Sequence, residues 1–247
     1  MRLLEIEQLT KNFGGLRAVD GVSLSITAGE VVSVIGPNGA GKSTLFNLIT
    51  GYLEPDGGRV LLDGEEITRL PIHKMVDKGI GRSFQSLNVF SELTVHENVR
   101  MGIQAHMGHG SELFKARARL QGVNDKIPEI VERVGLLGKE LMKAKDLSYG
   151  DNKILDVAIA LTAEPRILLM DEPTSGLARR ETGRMLDLIM KLSEQLTILL
   201  VEHDMTVVFA ASERIVVMNQ GKVIAEGKPD DIRKDEAVQE AYLGGEG

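Results

Sequence analysis

The chain contains no cysteine in 247 residues, which excludes disulfide cross-links and any thiolate-held metal. That usage is compatible with a reducing compartment. No run approaches the roughly 18 apolar residues that span a bilayer as a helix, so the chain is not expected to cross a membrane by itself. Met1 to Glu7 carries charges and lacks an apolar core segment, so no secretory signal is expected there. Basic residues are not in excess: 29 Lys and Arg against 36 Asp and Glu give a formal charge of −7, which argues against a broad nucleic-acid-binding surface. Internal repeats and low-complexity linkers are also missing. What remains is an ordinary globular composition, long enough for one large α/β domain or one domain with a subdomain inserted.

Within that plain composition one segment stands out: Gly36-Pro37-Asn38-Gly39-Ala40-Gly41-Lys42-Ser43-Thr44, which satisfies the phosphate-cradling P-loop pattern. The apolar run Val31 to Ile35 before it reads as a buried strand, and Leu45 to Thr50 after it as a helix. Glycines let successive backbone N–H groups converge into an anion nest, and a helix N-terminus adds partial positive charge at the same place. Lys42 is then expected to reach the β and γ phosphates of a nucleotide, and the Ser43 hydroxyl to hold Mg²⁺.

Alternation of apolar and charged residues predicts half-exposed strands over Leu3 to Leu9 and Val22 to Ile26. A short strand at Arg59 to Leu62 closes in a tight turn at Asp63-Gly64. The middle of the chain reads as helical. Leu93 to Met101 places Glu97, Asn98 and Arg100 on a polar side. Pro128 is expected to open an amphipathic helix through Ile130, Val131, Val134 and Leu137, with Gly135 and Gly138 at its frayed end. Lys115, Arg117 and Arg119 form a basic row, read as a solvated helix face. The last third returns to strand–helix alternation: strands at Arg166 to Met170 and Leu196 to Val201, helices at Arg180 to Glu194 and Met205 to Ser212. A hairpin of Ile215 to Met218 with Lys222 to Ala225 turns around Asn219-Gln220-Gly221. The expected fold is α/β: a P-loop NTPase core with a mostly parallel sheet, an antiparallel β subdomain and an inserted helical subdomain. Residues 1–86 and 161–247 are assigned to the core with its β subdomain, and 87–160 to the helical insertion.

Three further clusters carry chemistry. The apolar strand ending at Met170 delivers Asp171 and Glu172 side by side, a costly placement unless a cation bridging phosphates compensates it. Asp171 is the metal-facing acid; Glu172, one residue on, is the general base for an attacking water. A second buried strand ends in Glu202-His203-Asp204, and a histidine there faces the usual ligand crevice of an α/β sheet, where it can donate to a phosphate or position the water. Leu147-Ser148-Tyr149-Gly150 precedes a helix from Lys153 to Thr162, with Ser148 a good N-cap type and Gly150 allowing close approach of an anion.

Taken in order, these segments resemble the nucleotide-binding subunits of ABC transporters over nearly the whole chain. The P-loop comes first, then Gln85 in Arg82-Ser83-Phe84-Gln85, the signature at Leu147 to Gly150, the acidic strand at Leu168 to Glu172, and His203. Leu147 to Gly150, Val201 to Met205, Ile224 to Gly227 and Ala241-Tyr242-Leu243-Gly244 are most similar to ATPases of branched-chain amino acid importers, and are shared with ATPases for related small polar solutes such as urea. The resemblance implies an ATP- and Mg²⁺-dependent ATPase at the cytoplasmic face of the membrane, peripheral to it. Its implied partners are a second cassette, the same or homologous, transmembrane permease subunits, and indirectly a solute-binding protein outside the cell, but no nucleic acid.

It implies that Phe13 stacks on adenine with Val19 packed nearby, that Gln85 touches Mg²⁺ or the water, and that 86–97 lies near the groove receiving the membrane subunit. It also implies that two cassettes close head to tail, so that Ser148 and Gly150 of one contact the γ-phosphate held by the other. The pattern departs at Asp151, where glutamine is usual, with Lys153 expected to offset its charge. It departs again at Ala178, where the usual Asp or Asn is missing and Arg179-Arg180 follow. Two alternatives remain at this point: a soluble ABC ATPase acting on nucleic acid or ribosomes, and a non-hydrolysing regulatory nucleotide binder.

Overall fold

The computed structural model describes residues 1–83, 88–106 and 116–243. Two antiparallel strands open the chain, β1 (Arg2–Phe13) and β2 (Leu16–Thr27). Both outrun the alternating segments that announce them. Register shifts between Ile6 and Leu9 and between Leu9 and Lys11 break the two-residue period while the pairing continues. β3 (Val31–Ile35) follows, and α1 (Lys42–Ile49) begins inside the glycine loop rather than after it. β4 (Gly57–Leu62) pairs with β1 and, across Asp63 and Gly64, with the short β5 (Glu65–Glu66). α2 (Ile72–Asp77) and β6 (Ile80–Ser83) come next. Both are too short to show a period in sequence.

Between β6 and the next strand the elements among the described residues are helical: α3 (Val95–His106), α4 (Ala116–Arg133), a 3₁₀ turn at Ala144–Asp146 and α5 (Tyr149–Leu161). Pro128 does not open α4 but lies inside it, on an exposed face. Leu137 falls beyond that helix and is exposed, while Val134 and Leu136 are buried in its place. Asn98 is not on a polar face either. It is fully buried on α3, accepts from Phe90 N–H (2.8 Å) and donates to the carbonyls of Phe90, Leu93 and Thr94, fastening the loop that leads into the helix. Lys115 lies outside the described residues, and the side chains of Arg117 and Arg119 likewise.

The rest alternates: β7 (Ile167–Asp171), α6 (Arg179–Ser193), β8 (Thr197–Val201), α7 (Met205–Ala211), β9 (Arg214–Asn219), β10 (Lys222–Gly227), α8 (Pro229–Ile232) and α9 (Glu236–Leu243). Two sheets result. One is antiparallel, in the order β2-β1-β4-β5; the other has the order β10-β9-β3-β8-β7-β6 and is parallel except at its β10 edge. The unbroken apolar runs of the parallel strands follow from burial on both faces. Leu168 and Met170 of β7 pack in the core shared with α3, α5 and α6, while Ile167 and Leu169 face the core shared with α1 and the antiparallel sheet.

Candidate functional site

Parallel pairing brings the chemical groups to one edge. Val34 of β3 is level with Val201 of β8, Val201 with Asp171 of β7, and Met170 with Ser83 of β6. The glycine loop, the acid pair, the Glu202-His203 segment and the chain leading to Gln85 therefore all leave the carboxyl ends of adjacent strands, where α/β sheets bind ligands.

The loop wraps a cavity of about 630 Å³ whose wall runs from Asn38 to Thr44, with Phe13, Leu16 to Ala18, Glu172 and Gln220 around it. That volume suits a nucleotide-sized ligand. The loop is fixed from behind: Ala40 O accepts from Gly221 N–H (3.0 Å), and Gly221 O accepts from Asp20 N–H (2.8 Å). Gly41 caps α1 at φ 101°, and a Cβ there would fall 2.2 Å from the Ala18 carbonyl oxygen, so only glycine lets the loop approach β2 this closely. Gly36 and Pro37 stand behind the cavity; their carbonyls accept from Lys42 Nζ at 2.7 and 3.0 Å. Burial pushes the Lys42 ammonium pKa down, against the opposing pull of Glu172 and Asp171.

Phe13 sits on the rim, 46% exposed, so its ring is available to stack on a base, with Lys11 Nζ 5.8 Å from its centroid. Val19 does not line the cavity. It is fully buried in the core between the sheets, and Ala18 takes the cavity position instead. Successive residues on a strand face opposite sides, so an assignment one residue off reverses the direction of the side chain.

The acid pair is strained and tightly held. Glu172 has φ 48°, a left-handed conformation rare for a side chain of this size, and its N–H donates to Val201 O at 2.9 Å. Asp171 is 4% exposed, and burial pushes its pKa up despite the nearby Arg82. Arg82 Nη2 donates to Asp171 Oδ2 (3.2 Å) and Arg82 Nη1 to Asn47 of α1 and to Thr50 at its C-cap, so one guanidinium joins β6, β7 and α1. Asp171 Oδ1 is buried with no hydrogen-bond partner among the described residues, which fits a hard cation beside the Ser43 hydroxyl on the cavity wall. Gln85 lies outside the described residues.

His203 is 61% exposed, with Nδ1 3.9 Å from Glu172 Oε2 and 3.8 Å from Glu202 Oε2, both beyond hydrogen-bond distance. Glu202 organises this corner. Fully buried, its carboxylate accepts from the Thr174 N–H (2.8 Å) and hydroxyl and from His203 N–H (2.9 Å), tying the turn after β7 to the turn after β8.

Ser148 and Gly150 line no part of the cavity. Ser148 caps α5 by accepting from Asp151 N–H (3.1 Å), the role its residue type predicts. Asp151 is 4% exposed and carries no free charge: burial opposes its ionisation, but Lys139 (2.5 Å) and Arg184 (3.0 Å) outweigh this and hold its pKa below the ordinary value. Lys153 is not its counter-charge. It is 2% exposed, and the acids that act on it are Asp156, Glu202, Glu172 and Asp171.

Several residues were given no role by the sequence. Ala18, Gln220, Arg82, Glu202 and Glu181 take theirs from tertiary contacts. Tyr242 on α9 is another: its hydroxyl takes the Gly36 backbone N–H, which lowers its pKa, yet burial dominates and pushes it to about 12. Arg82, Glu202, Gln220 and Tyr242 lie in segments the sequence singled out, but nothing local in those segments shows what their side chains touch.

A family model described as "ABC transporter" matches residues 19–175, and one described as "Branched-chain amino acid ATP-binding cassette transporter" matches 222–247. The chain is 43% identical to the high-affinity branched-chain amino acid transport ATP-binding protein BraF of Pseudomonas aeruginosa, with 98% of each chain covered. It is 41% identical to LivG of Escherichia coli, of the same description, again over 98% of each. Among solved structures it is similar to MJ1267, an ATP-binding cassette of an ABC transporter, with a TM-score of 0.85, 32% identity and 99% of each chain covered. It is also similar to the dimeric cassette MJ0796 bound to ADP and Pi, with a TM-score of 0.77 and 29% identity over 92% of this chain and 99% of that one.

Proposed function

The chain belongs to the ABC transporter family of ATP-binding, ATP-hydrolysing cassettes, and on that premise we propose that it powers an importer of branched-chain amino acids. The observation that carries this reading is the cavity behind Asn38 to Thr44 with Glu172 on its wall: a phosphate cradle and a carboxylate within one space. Lys42 and the loop amides hold the phosphates, Phe13 the base, and Glu172 takes the proton of the attacking water. Its left-handed backbone aims that carboxylate off the end of β7. His203, whose backbone N–H is fixed by Glu202, lines up the water or the γ-phosphate. Ser43 and Asp171 hold Mg²⁺, with Gln85 as a further contact; when bound, the ion shields phosphate charge.

Two cassettes close head to tail, Ser148 and Gly150 of one meeting the γ-phosphate held by the other, and only ATP's contacts across that interface favour the closed state. Residues 87–160 pass the motion to transmembrane permease subunits, which the chain serves from the cytoplasmic face. No helix among the described residues is long and apolar enough to cross a membrane. The pairing of Asp151 with Lys139 and Arg184 removes the charge that favoured a non-hydrolysing role. The test is transport. Purified with its membrane partners and placed in proteoliposomes with a solute-binding protein, the complex is expected to take up labelled leucine in an ATP-dependent way. ATP-dependent uptake of urea but not leucine would reassign the solute, and no uptake with Lys42→Ala is the control.

A further inference from the structure

One side chain joins Ser148 and Gly150 to the start of α6. Glu181 Oε1 accepts from the Ser148 hydroxyl at 3.1 Å and from the Gly150 N–H at 3.2 Å, and Oε2 accepts from the Ala178 N–H at 3.3 Å. A hydroxyl and a backbone N–H at the N-terminus of α5 thus already hold an anion. A Cβ on Gly150 would lie 2.7 Å from Glu181 Oε1, so a larger residue there would displace the carboxylate from this position. The contacts also favour the charged form: the Ala178 N–H first, then the Ser148 hydroxyl, hold the Glu181 carboxyl below its ordinary value. Ala178, at the N-cap of α6, has no side-chain acceptor of its own, so Glu181 is the group that caps both helices.

We infer that Glu181 is an internal stand-in for the γ-phosphate, occupying the Ser148–Gly150 subsite in the single chain and setting how much ATP is needed to close the pair. The inference rests on the head-to-tail reading above. A carboxylate and a phosphate cannot share the same two donors, and as like charges at contact distance they repel. Closure therefore requires Glu181 to swing away. Arg184 lies three residues further along α6, on the same face, and can receive it, while Lys139 keeps Asp151 compensated. Glu181 lines no part of the glycine-loop cavity, so it acts on closure and not on capture of nucleotide by one chain.

The test uses the full chain in a Glu172→Gln background, where hydrolysis does not dissolve the closed pair. The ATP concentration for half-maximal dimerisation is read by sedimentation velocity, and nucleotide affinity of the dilute single chain with a fluorescent ATP analogue. Glu181→Ala is expected to lower the ATP needed for dimerisation by about three- to tenfold, Glu181→Gln by less, both with single-chain affinity unchanged. In the nucleotide-free single chain, amide exchange at Gly150 is expected to speed up in Glu181→Ala. An unchanged or higher ATP requirement in both variants, while the parent dimerises, overturns the inference alone. A parent that stays monomeric at saturating ATP overturns the head-to-tail reading and the inference with it. Glu181→Gln keeps an oxygen for the Ala178 N–H, so it decides the matter if the alanine variant fails to fold.

Discussion

Glu172 combines a carboxylate on the cavity wall with a backbone angle of φ 48°, which costs about 1–2 kcal/mol in a non-glycine residue. Such strain persists where surrounding contacts hold it, here the hydrogen bonds of Glu172 N–H to Val201 and of Glu172 O with Ser175 N–H. Glu172→Gln keeps the shape and removes the proton acceptor. ATP affinity should stay within about twofold while the rate of phosphate release falls by about 10²–10⁴. Normal turnover by that variant would remove Glu172 from the base role. Tyr242 gives a pH dependence. Its pKa rises from 10.0 in the unfolded reference to about 12 in the folded chain. Between those values the unfolded chain releases a proton that the folded chain keeps, so stability is full below pH 10 and declines as pH rises toward 12. Thermal unfolding measured from pH 9 to 11 should show a shallower decline in Tyr242→Phe than in the unaltered chain.

At the scale of elements, the site depends on which strand ends lie side by side. β3, β8 and β7 are neighbours in register, so segments separated by more than 130 residues of chain meet at one edge. Glu202 locks two of the turns that leave this edge. Its replacement by alanine strands the Thr174 and His203 N–H groups in a buried corner, at a cost of about 1–3 kcal/mol for each unsatisfied donor. Urea unfolding should register that loss, and turnover should fall further than stability alone accounts for, because His203 loses its fixed backbone. Turnover unchanged in a destabilised but folded Glu202→Ala chain would make Glu202 purely structural.

For the whole molecule, the positions of Ser148 and Gly150 matter most. They stand apart from the chain's own cavity, so a complete active centre on the proposed reading needs two chains. Turnover per chain should rise with protein concentration at fixed ATP until dimers dominate. A bulky charged replacement, Ser148→Arg, should abolish that rise while single-chain ATP affinity stays within about twofold. Turnover strictly proportional to concentration in the unaltered protein would contradict a shared centre. The buried Asp151, paired with the part-exposed Lys139 and Arg184, fastens α5 to α6 and, on the proposed reading, keeps the Ser148 end in a fixed attitude toward that partner.

Local chemistry made the glycine loop, the buried strands and the helix cap at Ser148 legible without coordinates. A nest of amides, an apolar run and an N-cap each depend on residues adjacent in the chain. Short β6 and α2 left no period to read, and Pro128 misled because an exposed helix face tolerates it. Val19 was one residue from the cavity position, and only the direction of the side chains on β2 shows that Ala18 holds it. The counter-charges of Asp151, the double cap by Glu181 and the prop from Tyr242 join residues distant in sequence. Sequence thus determined which groups the chain offers for the proposed nucleotide chemistry. Tertiary structure decided which of them face one another, because electrostatic and hydrogen-bond partners are chosen by distance in space, and that distance is set by strand order and packing.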